Sequence, residues 1–554
     1  MSEKKFKKQE LHEGAAVLLL ATAIVKIIGA FFKIPLSSDY CLGDLGFGYF
    51  STAYDFFGPI STVTVSGFPV VISRIIADFT AKKRFKDAKN AFNLSKKLII
   101  TLGFCLTVLM IAFSFPFVKL TDSTCKSIYS LLALAPSFFF CFWSSVYRGY
   151  FEGYHNMTYP AVSNVIEALG KLFLGLGLAL ITVNLTNNPA LAAGAALLGI
   201  TVGNIAGACY LRFMYKNKIS ATPREQTEEA LTGKELIKLI FAISLPTVLS
   251  AMSGSMVSLI DVITVRWQLN SYSISDLNEV YGLLFKNSVL KNVSTGELPT
   301  FLYGTRSKAY TIYNLVPSIT VALGVSSIPA LTEAFSKNEM KETGKNAGSV
   351  IKLSALITLP IAAGFIAVGK ELMALLYGRD ISSQLGGVML SLYGIAVIFS
   401  GIFIPLSCVL QALGKQNTAL YNVAVGLIIK IVLNLWLCSM PKINIFGAVI
   451  STVACNFIIF ILHFVTLIRC IGFSFNLKNT IIKPLISALF CGLTAATVSL
   501  LGESSLISLL SVCAAAVVYI IVAAVINTFE ETDILSLPMG KKLLNVCRKL
   551  KIVR

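Results

Sequence analysis

Residues 418–438 read TALYNVAVGLIIKIVLNLWLC, an unbroken apolar block with one charge, Lys430, near its centre. A helix needs about 20 predominantly apolar residues to cross a bilayer, and this block has that length. Similar blocks recur along all 554 residues, separated by short charged or Gly/Pro/Asn-rich breaks. The chain is 55% hydrophobic and only 14% charged, with mean hydropathy +0.76. That balance excludes disorder, coiled coil, collagen and a soluble multidomain enzyme. The expected fold class is an all-α polytopic membrane protein.

Fourteen spans are expected, at about 14–38, 46–75, 98–118, 126–147, 158–183, 189–211, 239–265, 307–332, 350–369, 387–411, 418–438, 445–468, 480–500 and 505–528. The second holds Pro59, Gly67 and Pro69 and should bend. The net charge of +19 would suggest nucleic acid in a soluble protein. Here Lys and Arg gather on alternate loops, roughly four to one, as membrane proteins gather them on the cytoplasmic side. Both termini are therefore expected in the cytoplasm, no nucleic-acid partner is expected, and the first apolar block reads as a retained helix rather than a signal peptide. The twelve cysteines are scattered singly and the three histidines lack metal-ligand spacing, so neither a metal nor a cofactor is expected.

The polar stretch 216–238 follows six spans and reads as a cytoplasmic linker between lobes 1–215 and 239–468, with 469–554 supplying two extra helices and a basic tail. Internal echoes support that division. FEGYHNMTYPAVSNVIEALGKLFLGL (151–176) resembles QALGKQNTALYNVAVGLIIKIVLNL (411–435). With two extra residues allowed in the first loop, Gly153 meets Gly414 and Lys171 meets Lys430. GFPVVISRIIADF (67–79) and SSIPALTEAF (326–335) align Pro69 with Pro329. Both offsets are six spans, so the repeats run parallel.

Six bases lie within spans or at their edges: Lys26, Lys33, Lys171, Arg306, Lys308 and Lys430. A charge at a span's centre costs roughly 2.5–3.5 kcal/mol on the insertion scale, tolerated where it meets water, an acid or an anionic ligand. Each has a plain alternative. Lys171 follows Glu167 by four residues and could neutralise it on one helix face. Lys33 could snorkel, and Lys26 could pair with Asp55. Lys430 has no acid in its own helix, which favours a cavity or ligand role. Asp261 and Arg266 read as an ion pair or a cation site. Arg148 and Glu152 flank a turn, as a gate contact or as solvated charges. Deep acids (Asp55, Glu167, Asp261) do not outnumber deep bases, which favours an anionic cargo over cationic drugs. There is no GxxxxGK[ST], HExxH or GxSxG motif, and the outward loop 267–305 offers only Asp276, Glu279 and Glu297, so transport rather than an enzyme is expected.

With these residues in view, the chain resembles the multidrug/oligosaccharidyl-lipid/polysaccharide exporter superfamily, and most of all the stage V sporulation protein B group related to MurJ-type lipid II flippases. The segments that carry the resemblance are KIIGAFFKIPLSS (26–38), GFGYFSTAYDFF (46–57), GFPVVISRIIADF (67–79), YRGYFEGYHNMTYPAVSNVIEALGK (147–171), SLPTVLSAMSGSMVSLIDVITVR (244–266), SSIPALTEAF (326–335) and LQALGKQNTALYNV (410–423). The resemblance implies a two-lobed carrier that alternates access. It also implies a basic cavity for a polyprenyl-pyrophosphate-linked glycan, a tail groove on the last two helices, and coupling to membrane potential, H+ or Na+. Lys26 and Lys33 match basic positions of the first span, and Asp261 matches the acid of the seventh. Where the MurJ group carries an acid–Arg pair in the eighth span, this chain reads YTIYNLVPS (310–318), with Arg306 and Lys308 just upstream. A cation-coupled drug antiporter of the same fold is the alternative, and a membrane polysaccharide polymerase or ligase is a more distant one.

Overall fold

The computed structural model describes residues 11–122, 124–218, 231–253, 255–272, 295–472 and 478–528. The polar stretch's centre, the basic tail, and Asp276 and Glu279 lie outside the described residues. In chain order the helices are α1 (Leu11–Leu36), α2 (Gly43–Thr62), α3 (Phe68–Ala81), α4 (Phe85–Thr121), α5 (Ile128–Gly153), α6 (Thr158–Gly170), α7 (Leu176–Thr186), α8 (Pro189–Lys218), α9 (Gly233–Ser253) and α10 (Met256–Asn270). They continue with α11 (Leu298–Tyr313), α12 (Leu315–Ser336), α13 (Met340–Tyr377), α14 (Ile381–Ala412), α15 (Gln416–Leu437), α16 (Phe446–Ile471), α17 (Lys483–Ser499) and α18 (Ser505–Val525). Among the described residues, 12 helical stretches are long and apolar enough to cross a membrane. The other two expected spans correspond to α1 and to the divided α9–α10 stretch, which fall outside that set, so the count of fourteen stands as an expectation.

π-helical turns join α2 to α3 at Val63–Gly67 and α6 to α7 at Lys171–Gly175. The first falls between Pro59 and Pro69, where the sequence predicts a bend. The second has no proline and lies where a neighbouring helix packs closely. Gly199, Gly203 and Gly207 form an i, i+4 stripe on α8; backbone packs directly on the first two and the Glu167 side chain on the third. A Cβ on Gly199 would stand 2.2 Å from the Gly175 nitrogen, and one on Gly170 would stand 2.5 Å from the Gly203 Cα. Small residues permit such approach in a membrane, where packing rather than the hydrophobic effect joins helices.

The chain divides into two compact units, Met1–Ser271 with Val293–Gly304, and Tyr272–Asn292 with Thr305–Arg554. In the first unit, an aromatic row on α2 runs Phe47, Phe50, Tyr54, with ring centroids 5.6 and 5.3 Å apart. Phe32 of α1 meets it edge-on. In the second unit, α14 lays Gly387, Gly394 and Gly401, seven residues apart, against α13. Lys352, at the edge of the expected span 350–369, is buried within α13, which begins earlier than its apolar block.

The internal repeat is visible in one turn. After α5, His155 has φ +57° and Asn156 N–H donates to Phe151 O at 2.9 Å; after α14, Gly414 has φ +71° and Lys415 N–H donates to Leu410 O at 2.8 Å. The two helix ends close alike, with a left-handed residue at the same place. His155, not Gly153, is therefore the counterpart of Gly414. The two-residue gap then disappears, and Lys171 still meets Lys430.

Pro360 lies inside α13 and has no N–H for the Leu356 carbonyl. Tyr519 of α18 donates its hydroxyl to that carbonyl at 2.7 Å. The penultimate helix meets the same place, where Gly492 of α17 leaves room for Ala363. Tyr519→Phe should destabilise the protein by about 1–3 kcal/mol, the cost of an orphaned buried acceptor. Thermal melting in detergent should show this loss, and Pro360→Ala in the same chain should recover much of it by restoring the helix's own donor.

Candidate functional site

The first unit gathers three of the six predicted bases around one tyrosine. Lys26 and Lys33 are seven residues apart on α1, hence on nearly one face. Lys171 opens the π turn, against which α1 packs. Lys33 Nζ stands 4.6 Å from the centroid of the Tyr54 ring. Lys26, Lys33 and Lys171 all lie within electrostatic reach of Tyr54, and Lys26 within reach of the other two. Lys33 therefore turns inward onto a ring rather than snorkelling. Lys26 is exposed, and Lys33 and Lys171 are half-buried.

The acids expected to neutralise these lysines are held elsewhere. Glu167 does not serve Lys171; Arg148 takes it, in a buried ion pair that also draws a hydrogen bond from Arg148 to Ser163 at 3.4 Å. Only 2% of the Arg148 side chain is exposed, so the solvated-turn reading fails. Arg148 fastens α5 to α6, and Glu152 is half-buried beside it. Asp55 accepts a hydrogen bond from Tyr303 at 2.9 Å. Among the described residues, Lys26, Lys33 and Lys171 form no ion pair. The sequence reading missed Tyr54, whose only signal was its place in the 47–50–54 aromatic row.

Arg266 also departs from expectation. Five residues of α-helix turn about 140° away from Asp261, so the two leave opposite faces. Arg266 instead lies 3.9 Å from Asp122, donates to Thr300 Oγ1 at 2.9 Å, and stacks on Tyr303 at 5.6 Å. Asp261 is fully buried. Asp122 accepts from Ser127 N–H (2.9 Å) and Oγ (2.6 Å) and from Thr124 Oγ1 (2.7 Å). Beside it, Glu297 accepts from Lys126 at 2.6 Å and from Tyr49 at 3.2 Å. This charged knot ties the α4–α5 turn to α2, α10 and residues 297–300.

The remaining bases belong to the second unit. Lys430 is fully buried on α15 and donates to Thr452 Oγ1 on α16 at 2.6 Å. Arg306 and Lys308 are also buried, against the rings of Tyr310 (5.1 Å) and Tyr377 (5.3 Å). All three are thus buried side chains of the second unit. Here α13 and α17 also border an apolar groove of about 310 Å³, with Leu359, Ala363 and Ile366 on one wall and Leu485, Leu489 and Leu493 on the other.

A chain whose described residues are helical, with twelve span-like stretches, buried charge pairs and a lysine cluster among them, is a multi-pass membrane transporter by class. Residues 11–335 match the model of the polysaccharide biosynthesis protein family, and the chain belongs to that family, within the multidrug/oligosaccharidyl-lipid/polysaccharide exporter superfamily. Residues 290–436 also match the MatE model. Among curated relatives, stage V sporulation protein B of Bacillus subtilis (strain 168) is 24% identical over 97% of this chain and 99% of its own. The lipid II flippase MurJ of the same organism is 22% identical, over 87% of each chain. Among solved structures, a lipid II flippase MurJ in an inward closed conformation superposes with TM-score 0.64 at 15% identity, covering 92% of this chain and 98% of its own. An inward-facing multidrug resistance MATE family transporter gives 0.57 at 14%, covering 79% and 97%.

Two outcomes test the charge assignments. Glu167→Ala strands the Arg148 guanidinium, and melting should show a loss of about 3–5 kcal/mol, largely regained when Arg148→Met is added. Asp122 lies just beyond α4. Burial opposes its ionisation, but Arg266 and the Ser127 and Thr124 hydrogen bonds prevail and hold its pKa below the ordinary 3.8. Its contribution to stability is thus complete above the unfolded value and disappears as pH falls through the lower folded one. The melting temperature should drop below about pH 4, and Asp122→Asn should flatten that part of the profile.

Proposed function

We propose that this protein flips an undecaprenyl-pyrophosphate-linked precursor, of lipid II-like peptidoglycan or of polysaccharide, across the bacterial cytoplasmic membrane by alternating access. The observation that carries the reading is the Lys26–Lys33–Lys171 cluster around Tyr54, three cations with no ion pair among the described residues. A pyrophosphate has the charge and the acceptor oxygens to satisfy them, and ammonium groups replace the water it leaves behind. Three like charges in a span region are costly when empty. That cost makes the cluster selective for a multivalent anion over a neutral or cationic cargo. The apolar groove beside α17 would carry the polyprenyl tail, so that only the headgroup leaves the bilayer's edge. Lys430, Arg306 and Lys308 act in this reading as internal charges of the second unit. Membrane potential, H+ or Na+ would bias the return of the empty carrier, with both termini in the cytoplasm. The relatives named stage V sporulation protein B and lipid II flippase support this cargo class.

A cation-coupled multidrug antiporter is the second reading, favoured by the MatE match over residues 290–436. It needs acids free to bind a cation, whereas Glu167 is bound by Arg148 and Asp55 by Tyr303.

Proteoliposomes containing lipid II should show protein-dependent exposure of the headgroup to an impermeant reagent. Lys26→Ala and Lys171→Ala should each slow it by about ten-fold or more, the loss of one charge-assisted contact. Unchanged rates in both variants would refute the site. Uptake of an organic cation that depends on Asp55, without lipid exposure, would establish the antiporter instead.

A further inference from the structure

A second apolar groove, of about 340 Å³, lies within the first unit between α4 and α9. Leu98, Thr101, Leu102 and Cys105 form one wall, and Ile240 and Phe241 the other. Phe241 is 62% exposed, as a side chain facing lipid rather than protein would be. Both walls end in lysine at the same end of the groove. On α4, Lys97 stands one turn before Thr101 and two before Cys105, on one stripe. On α9, Lys234 and Lys238 lead to Phe241 at i, i+4 and i+7. All three lysines are exposed and form no ion pair among the described residues. The nearby acids are engaged: Asp87 accepts from Arg84 and from Leu231 N–H, and Glu235 caps the Thr232 N–H and hydroxyl.

We propose that this groove is a binding site for an anionic phospholipid of the bilayer, its phosphate at Lys97, Lys234 and Lys238 and one acyl chain along Leu98–Cys105. A basic end alone is what any membrane protein accumulates in its inner loops. Here it caps an apolar channel running in the chain direction of both helices, which is the shape and polarity of a charged lipid. The site differs from the lysine cluster around Tyr54 and from the groove beside α17. An occupant would fill the space between α4 and α9 and brace α9, whose Leu236 and Ile240 otherwise rest on Val71, Ile75 and Phe79 of α3.

The test places a fluorophore in the groove. Phe241→Trp would be reconstituted in phosphatidylcholine vesicles containing either dibrominated phosphatidylglycerol or dibrominated phosphatidylcholine at equal mole fraction, and the unsubstituted protein's tryptophan emission subtracted. Quenching should report a preference for phosphatidylglycerol of about five-fold or more, what one surface lysine supports. Lys97→Ser with Lys238→Ser should abolish that preference, and Lys97→Arg with Lys238→Arg should keep it, which separates charge from folding. Equal quenching by the two lipids, or a preference that survives the serine pair, would overturn the proposal. Relief of quenching by a small molar excess of undecaprenyl phosphate would also overturn it, by assigning the groove to the cargo. None of these readouts depends on transport, so a failed flipping assay leaves the result standing.

Discussion

The buried pair between Arg148 and Glu167 is the constraint on which the proposed site depends. Glu167 is the carboxylate nearest in sequence to Lys171, and at i, i+4 the two would ordinarily meet. Arg148 reaches Glu167 from α5, and Gly207 lets α8 close over the carboxylate, leaving 2.6 Å between a notional Cβ there and Glu167 Oε1. Once that acid is committed, Lys171 can be satisfied only by water, by a ring or by a ligand. The π turn that begins at Lys171 adds to this, because an extra residue in the turn rotates the lysine relative to a regular helix.

The repeated half of the chain shows what happens without those two features. Lys430 occupies the position equivalent to Lys171, once His155 is set against Gly414. At the place of Glu167 stands Gly426, packed on Ile459. Helix α15 is regular through Lys430, and the ammonium points into the unit, donating to Thr452 while Asn434 accepts from Ser451 one turn on. One inherited lysine has thus become two different things: a partly open cation in the first unit and a sequestered one in the second. A neighbouring acid and an irregular turn accompany the first and are absent beside the second.

Much of the fold was legible because apolar length is a coarse, redundant signal: losing one residue from a block does not hide a span. Helix ends were less so. α4 and α13 begin in charged stretches, Phe85–Lys97 and Met340–Lys352, that continue the helix beyond the apolar block. The lysines of the site were visible one by one, since an intramembrane charge stands out against its surroundings. Their company was not. That Lys33 meets Tyr54, that Arg148 takes Glu167, and that Arg266 turns to Asp122 instead of Asp261 are contacts across helices, and short-range spacing points to local partners only. The last was excluded by helix geometry alone, since five residues do not share a face.

The central claim is that an uncompensated lysine cluster in the first unit binds pyrophosphate. Its most direct test is calorimetric titration of the purified protein with a short-chain prenyl pyrophosphate and the matching prenyl monophosphate. The account predicts tighter binding of the pyrophosphate by about ten-fold, one further charge-assisted contact. That advantage should vanish in Lys171→Gln and persist in Lys430→Gln. Equal affinity for the two ligands, or an advantage that follows Lys430 and ignores Lys171, would contradict it.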